Sequence, residues 1–199
     1  MKVLGIYASP RKGGNSDTLL DVAIRAIHSQ APETEFITIR VSDLELRACN
    51  ACMDCFKTYK CSIKDDDFAR VFKVLMEADI VIISTPIYFM GPPSPLKALI
   101  DRCLVAYAKR IKKNKDTKFR RFGGIIMTAG QPDEKMFRGT RSIIKSLYWS
   151  IDVGYKGEVR SGGMDKYKNV GKCSTAMKNA RKLGMALAKA TSQGRTSQV

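Results

Sequence analysis

Cys49, Cys52, Cys55 and Cys61 stand at C-x2-C-x2-C-x5-C spacing, four thiols within thirteen residues. Thiolates at intervals of three can converge on one small inorganic centre, and a fourth reaches it after a short loop. This is the ligand arithmetic of an iron–sulfur cluster. The same four soft donors can also hold zinc, although zinc sites more often use two separated C-x2-C knuckles. Cys103, on a predicted apolar helix face, reads as core, and Cys173 reads as a free helix thiol. Neither has ligand spacing.

A second chemistry is written in three loops. Ser9-Pro10-Arg11-Lys12-Gly13-Gly14-Asn15-Ser16 joins a strand-like run to a helical one. Unpaired amides and the positive end of a helix favour an anion there. Ser9, Asn15 and Ser16 add short hydrogen-bonding side chains, Arg11 adds a charge, and Gly13 and Gly14 permit close backbone approach. The loop is neither G-x-G-x-x-G nor a Walker loop, so a terminal monophosphate fits it better than a dinucleotide or triphosphate. Thr85-Pro86-Ile87-Tyr88-Phe89-Met90-Gly91-Pro92 leaves a strongly apolar run, and its aromatics suit a flat ring system. Thr128-Ala129-Gly130-Gln131 is small enough to pass beneath a ring. A phosphate at one end and a ring at the other is the shape of FMN.

The elements that must position these loops alternate along the chain. Strands are expected at residues 3–8, 35–41, 79–84, 122–128 and 154–159. Helices are expected at 16–30, from 68 to 76, from 96 to 104, at 134–151 and at 170–190. This order predicts a parallel sheet covered on both faces, with ligands at the carboxyl ends of its strands. Residues 1–190 read as a single domain, residues 46–64 as a cysteine-rich loop inserted after strand two, and residues 191–199 as a disordered tail.

The formal net charge is +16. Residues 1–100 hold 12 basic and 12 acidic side chains, so the whole excess lies in the second half. The densest run, from Lys109 to Arg121, predicts a field that attracts acidic partners. It lacks interleaved aromatic pairs and any recognition motif, which argues against nucleic acid. No stretch of eighteen apolar residues predicts a membrane span. The N-terminus lacks signal-peptide features, and a cytoplasmic location is expected. There, cysteines serve as metal or redox groups more often than as disulfides.

The loops S-P-R-K-G-G-N-S and T-P-I-Y-F-M-G-P-P-S-P-L-K-A-L-I-D-R resemble those of the flavodoxin-like NAD(P)H-dependent flavin reductases, over roughly residues 2–190. Within that superfamily the cysteine segment is similar to that of the iron–sulfur flavoproteins of anaerobic archaea and bacteria. The resemblance implies a doubly wound five-stranded parallel sheet, FMN and a 4Fe-4S cluster. It also implies a homodimer or homotetramer, and electron flow from a carrier such as ferredoxin to a small acceptor: oxygen, hydrogen peroxide or a quinone. Carried onto this chain, Ser9, Arg11, Asn15 and Ser16 would hold the phosphate. Pro86, Ile87, Tyr88, Phe89, Met90 and Gly91 would line the ribityl chain and ring, with Thr128 and Gly130 approaching from the fourth strand. The family usually places Gly before the first Ser, where this chain has Ala8. Two other readings are a cluster-free NAD(P)H-dependent FMN or quinone reductase and a nucleic-acid-binding or regulatory flavoprotein. No acid–base residue stands out, and His28, the one histidine, is assigned to a helix surface.

Overall fold

A computed structural model describes residues 1–113 and 119–196. In chain order the elements are β1 (Lys2–Tyr7), α1 (Asn15–Gln30), β2 (Glu35–Arg40), α2 (Asp54–Thr58), α3 (Phe68–Glu77), β3 (Ile80–Pro86), α4 (Ser94–Arg102), α5 (Leu104–Lys113), β4 (Arg121–Thr128), α6 (Arg138–Ser150), β5 (Val153–Ser161), α7 (Met164–Tyr167) and α8 (Ser174–Thr196). Short 3-10 turns precede α6 and α8 and follow β2. The strands form one parallel sheet in the order β2-β1-β3-β4-β5, the flavodoxin-like arrangement. The chain winds outward from β1 to β2, then crosses back to β3 and proceeds the other way. That reversal opens a crevice between the carboxyl ends of β1 and β3.

Sheet and helices bury two apolar layers. Val3, Ile80, Ile82, Ile126 and Val159 meet Leu19, Leu20 and Ile27 of α1 and Ala180, Leu183 and Leu187 of α8. Leu4, Ile6, Val81, Ile83 and Ile125 meet α3, α4, α5 and α6 on the opposite face. β3 is buried along almost its whole length, which explains why it reads as an unbroken apolar run rather than an alternating one. The α1 and α8 backbones come so close that a Cβ on Gly184 would lie 2.3 Å from the Ala23 carbonyl oxygen.

Three boundaries differ from the sequence reading. The helix expected to run through Leu104 breaks at Cys103, giving α4 and α5. The last helix starts at Ser174, after a 3-10 turn capped by the Asn169 side chain, which accepts from the Gly171 amide. It continues through residues 191–196, read from sequence as tail, because Leu187, Ala188, Ala190 and Thr191 carry its buried face onward. Residues 197–199 lie outside the described residues. Among the described residues no helix is long and apolar enough to cross a membrane.

Within the basic run, Lys115 and Lys118 also lie outside the described residues. Arg110 is buried against Asp152, with its guanidinium 4.5 Å from the Trp149 ring centre. Arg121 donates to the carbonyls of Ala78, Ile151 and Leu75. Burial lowers the Arg121 pKa to about 10. Both arginines therefore serve the fold rather than an exposed basic face.

Candidate functional site

A cavity of about 510 Å³ lies at the carboxyl ends of β1, β3, β4 and β5, well within the range of small-ligand sites. Ser9, Arg11, Asn15 and Ser16 line one end, Pro86, Ile87 and Tyr88 another side, and Thr128, Ala129 and Gly130 a third. Met164, Asp165 and Lys168, from the segment after β5, complete the wall. Backbone bonds chain these loops together. Ile87 N donates to Thr128 O at 2.8 Å, Ala129 N to Ser161 O at 2.9 Å and Met164 N to Ala129 O at 3.0 Å.

At the β1 end the chain turns through Gly13, whose φ of +70° favours glycine. Gly14 begins α1 in an extended conformation, and no side chain caps the helix. The first intrahelical bond is Thr18 N to Gly14 O, so the preceding amides face the helix end. Ser9 Oγ folds back to accept from Arg11 N at 3.1 Å. Asn15 Oδ1 accepts from Val170 N at 2.9 Å and ties the loop to the turn before α8. An uncapped helix start beside two glycines and Arg11 fits a phosphate.

Buried Asp17, with support from Arg40, organises the loop; sequence reasoning assigned neither residue. Asp17 Oδ2 accepts from Gly13 N at 3.0 Å and from Arg40 Nη2 at 2.7 Å. Arg40 Nη1 donates to Ser9 O at 2.7 Å, and its guanidinium lies 5.0 Å from the Tyr7 ring centre. Arg40 ends β2, beside the loop that follows β1, so its role depends on strand pairing rather than on local motif.

The loop after β3 closes on itself: Tyr88 N donates to Gly91 O and Gly91 N to Tyr88 O, both at 2.9 Å. Phe89 and Met90 at its tip adopt left-handed φ of 49° and 64°. Phe89, Met90 and Gly91 were expected at the flavin, but they do not line this cavity. The tight turn points the Phe89 side chain fully into solvent, and Phe89 instead borders a neighbouring groove with Val41, Leu44, Leu46 and Pro92.

The four spaced cysteines fall between β2 and α3, and all four line one small cavity against α4 and α5. Cys49 and Cys52 are exposed, Cys61 half-buried, and Cys55, on α2, buried. Burial raises the Cys55 thiol, and its three sister thiols push the same way. Left-handed residues Ala51, Met53 and Tyr59 wrap the segment around the cavity. Among the described residues no three His, Cys, Asp or Glu side chains are arranged for a single metal ion. Four soft sulfurs around one cavity are the donor set of a thiolate-held centre.

Beneath this segment lies a buried arginine that sequence reasoning did not single out. Arg102, the last residue of α4, donates from Nε to Cys61 Sγ at 3.1 Å. Its Nη1 donates to Asp66 Oδ2 at 2.7 Å and Arg47 O at 2.9 Å, and its Nη2 to Ile63 O at 3.1 Å. Burial alone would raise the Asp66 carboxyl. The Arg102 guanidinium and the amides of Arg47 and Phe68 outweigh burial and hold it below the ordinary carboxylate range. Cys103, next in the chain, is core: burial pushes its thiol up to about 12. His28 is exposed and packs edge-on to Phe36.

Comparison with known proteins agrees with this geometry. Residues 1–142 match the family model of NADPH-dependent FMN reductases. An iron–sulfur flavoprotein of Methanocaldococcus jannaschii is 43% identical over 102 residues, 51% of each chain. One from Archaeoglobus fulgidus is 28% identical over 181 residues, 86% of this chain and 77% of its own. The chain therefore spans about half of the first relative and about three quarters of the second. An FMN-dependent NADH-azoreductase of Bacillus anthracis, solved with FMN, superposes with a TM-score of 0.73 at 15% identity. That match covers 94% of this chain and all of the azoreductase, and shows the shared fold. The chain belongs to the NADPH-dependent FMN reductase family, and the curated relatives that it resembles carry the name iron–sulfur flavoprotein.

Proposed function

We propose that this protein is a flavin-dependent oxidoreductase. It would hold FMN in the cavity at the strand ends and a 4Fe-4S cluster on Cys49, Cys52, Cys55 and Cys61. Electrons would come from an acidic one-electron carrier such as ferredoxin and leave to oxygen, hydrogen peroxide or a quinone. The observation that carries this reading is the gathering of all four cysteines around one cavity, in a chain that also has a small-ligand cavity at its strand ends. Bound there, FMN supplies an exchange between one- and two-electron chemistry, and a cluster supplies single electrons.

The chain's own residues would bind and orient. The amides at the start of α1, with Ser9, Arg11, Asn15 and Ser16, would hold the phosphate. Pro86, Ile87 and Tyr88 would flank the ring and exclude water from one side, and Thr128 and Gly130 would approach from β4. Exposed Arg47, Lys57, Lys60 and Lys64 surround the cysteines and would guide an acidic carrier to that face. A homodimer or homotetramer and a cytoplasmic location belong to the same reading.

A second reading, a cluster-free NAD(P)H-dependent FMN or quinone reductase, is favoured by the family match itself. Anaerobic stopped-flow reduction separates the two. Reduced ferredoxin should bleach the wild-type flavin, and Cys55→Ser should abolish that route while leaving FMN bound. Equal ferredoxin-driven bleaching in Cys55→Ser would overturn the proposal, and bleaching by NADPH alone would favour the second reading.

A further inference from the structure

Arg102 is buried with Asp66, their side chains 0% and 4% exposed. A buried ion pair is seldom retained for stability, because desolvation offsets most of the attraction. This pair has a specific geometry that points elsewhere. A guanidinium has five N–H donors in a rigid fork. Here two bind Asp66, one binds the Arg47 carbonyl and one the Ile63 carbonyl. The fork thus clamps the two ends of the cysteine segment. The fifth, Nε–H, is aimed at a sulfur, Cys61 Sγ. The Phe68 ring lies 4.3 Å below the guanidinium and holds its plane. The carboxyl end of α4, where Arg102 sits, favours a cation. With four donors committed to oxygen, the direction of the fifth is fixed.

We propose that Arg102 is a positioning residue that sets the reduction potential at the cysteine site, with Asp66 as its counterweight. The inference rests on the cluster reading above. One-electron reduction of a cluster held by the four thiolates would add one negative charge to it. A guanidinium hydrogen-bonded to one of those sulfurs stabilises the reduced state and raises the potential. Asp66, on the far side of the fork, opposes it. The pair is a fixed dipole with its positive end on sulfur, and its two halves should act with opposite sign.

The test is an EPR-monitored redox titration of the anaerobically reconstituted holoprotein, with the flavin potential as internal control. Asp66→Asn leaves the guanidinium on Cys61 without its counter-charge, and should move the cluster potential upward. Arg102→Gln combined with Asp66→Asn avoids a buried unpaired charge. It should move the potential downward by at least about tenfold in the one-electron equilibrium, or about 59 mV. Arg102→Lys, which keeps the charge without the fork, should fall between the double variant and wild type. Flavin potentials should stay at the wild-type value. Shifts of one sign in both Asp66 variants, or none, would overturn the proposal. So would loss of iron from every variant while wild type keeps it, which would reduce Arg102 to scaffold. A wild type that takes up no iron or sulfide would instead overturn the cluster reading, and the proposal with it.

Discussion

Replacing Arg40 with glutamine tests how the proposed phosphate end of the cavity is built. Arg40 joins Asp17 Oδ2 and Ser9 O, each at 2.7 Å, and the two side chains are 15% and 3% exposed. Breaking a buried pair from one side costs about 3–5 kcal/mol. Partial exposure of Arg40 and the Gly13 amide that stays on Asp17 put this case near the lower end. A loss of about 3 kcal/mol over a chain of this length lowers Tm by about 7 °C. The uncompensated Asp17 carboxylate would also lie in the first turn of α1, where the proposal puts the phosphate. One charge about 10 Å from another, at an effective dielectric of about 20, costs about 1.7 kcal/mol. FMN affinity should therefore fall at least about tenfold. Riboflavin, which lacks the phosphate, should lose less than about threefold. Fluorescence titrations of both flavins at fixed ionic strength, beside thermal melts, measure each effect. Equal losses for FMN and riboflavin, or no loss for FMN, would refute the reasoning.

Other consequences are open to measurement. The folded Asp66 carboxyl titrates below its unfolded value, so its contribution to stability is complete above about pH 4 and is lost as pH falls through the folded value. The acid limb of a Tm-against-pH curve should thus be shallower in Asp66→Asn than in wild type. In Gly184→Ala the new Cβ would lie 2.3 Å from the Ala23 carbonyl oxygen, a backbone atom that cannot move cheaply. Overpacking of about 1–3 kcal/mol, less the helix preference of about 1 kcal/mol for Ala over Gly, should lower Tm by a few degrees with FMN affinity unchanged. Phe89→Ser removes a side chain that lies wholly in solvent, and should shift stability by under about 0.5 kcal/mol in chemical denaturation.

What was legible in the sequence followed from local pattern. The apolar run at Ile80–Pro86 and the alternation at Glu35–Arg40 marked strands, and the strand-to-helix loops marked where a ligand would sit. Cys49, Cys52, Cys55 and Cys61 announced themselves by spacing alone. What stayed hidden depends on partners distant in sequence. Arg102 looked like one more cation on a basic chain, because its burial is set by Asp66, 36 residues earlier. Arg40 and Asp17 meet only once β2 pairs with β1. Met164, Asp165 and Lys168 reach the cavity because backbone bonds from Ala129 and Gly130 fold the segment after β5 across it. Phe89 was expected beside the ring, and left-handed backbone at Phe89 and Met90 turns it outward from this cavity, which local pattern could not show. The tail through Thr196 looked polar, while small buried residues, Ala188 and Ala190, kept its helix against the sheet.

The central claim is that one chain carries a flavin at its strand ends and a cluster on its four spaced cysteines. Iron, sulfide and flavin analysis of the anaerobically purified and reconstituted protein tests it most directly. The account predicts about four iron, four sulfide and one FMN per chain, with the iron and sulfide lost and the FMN retained in Cys55→Ala. Full flavin occupancy without iron or sulfide in the reconstituted wild type would contradict it.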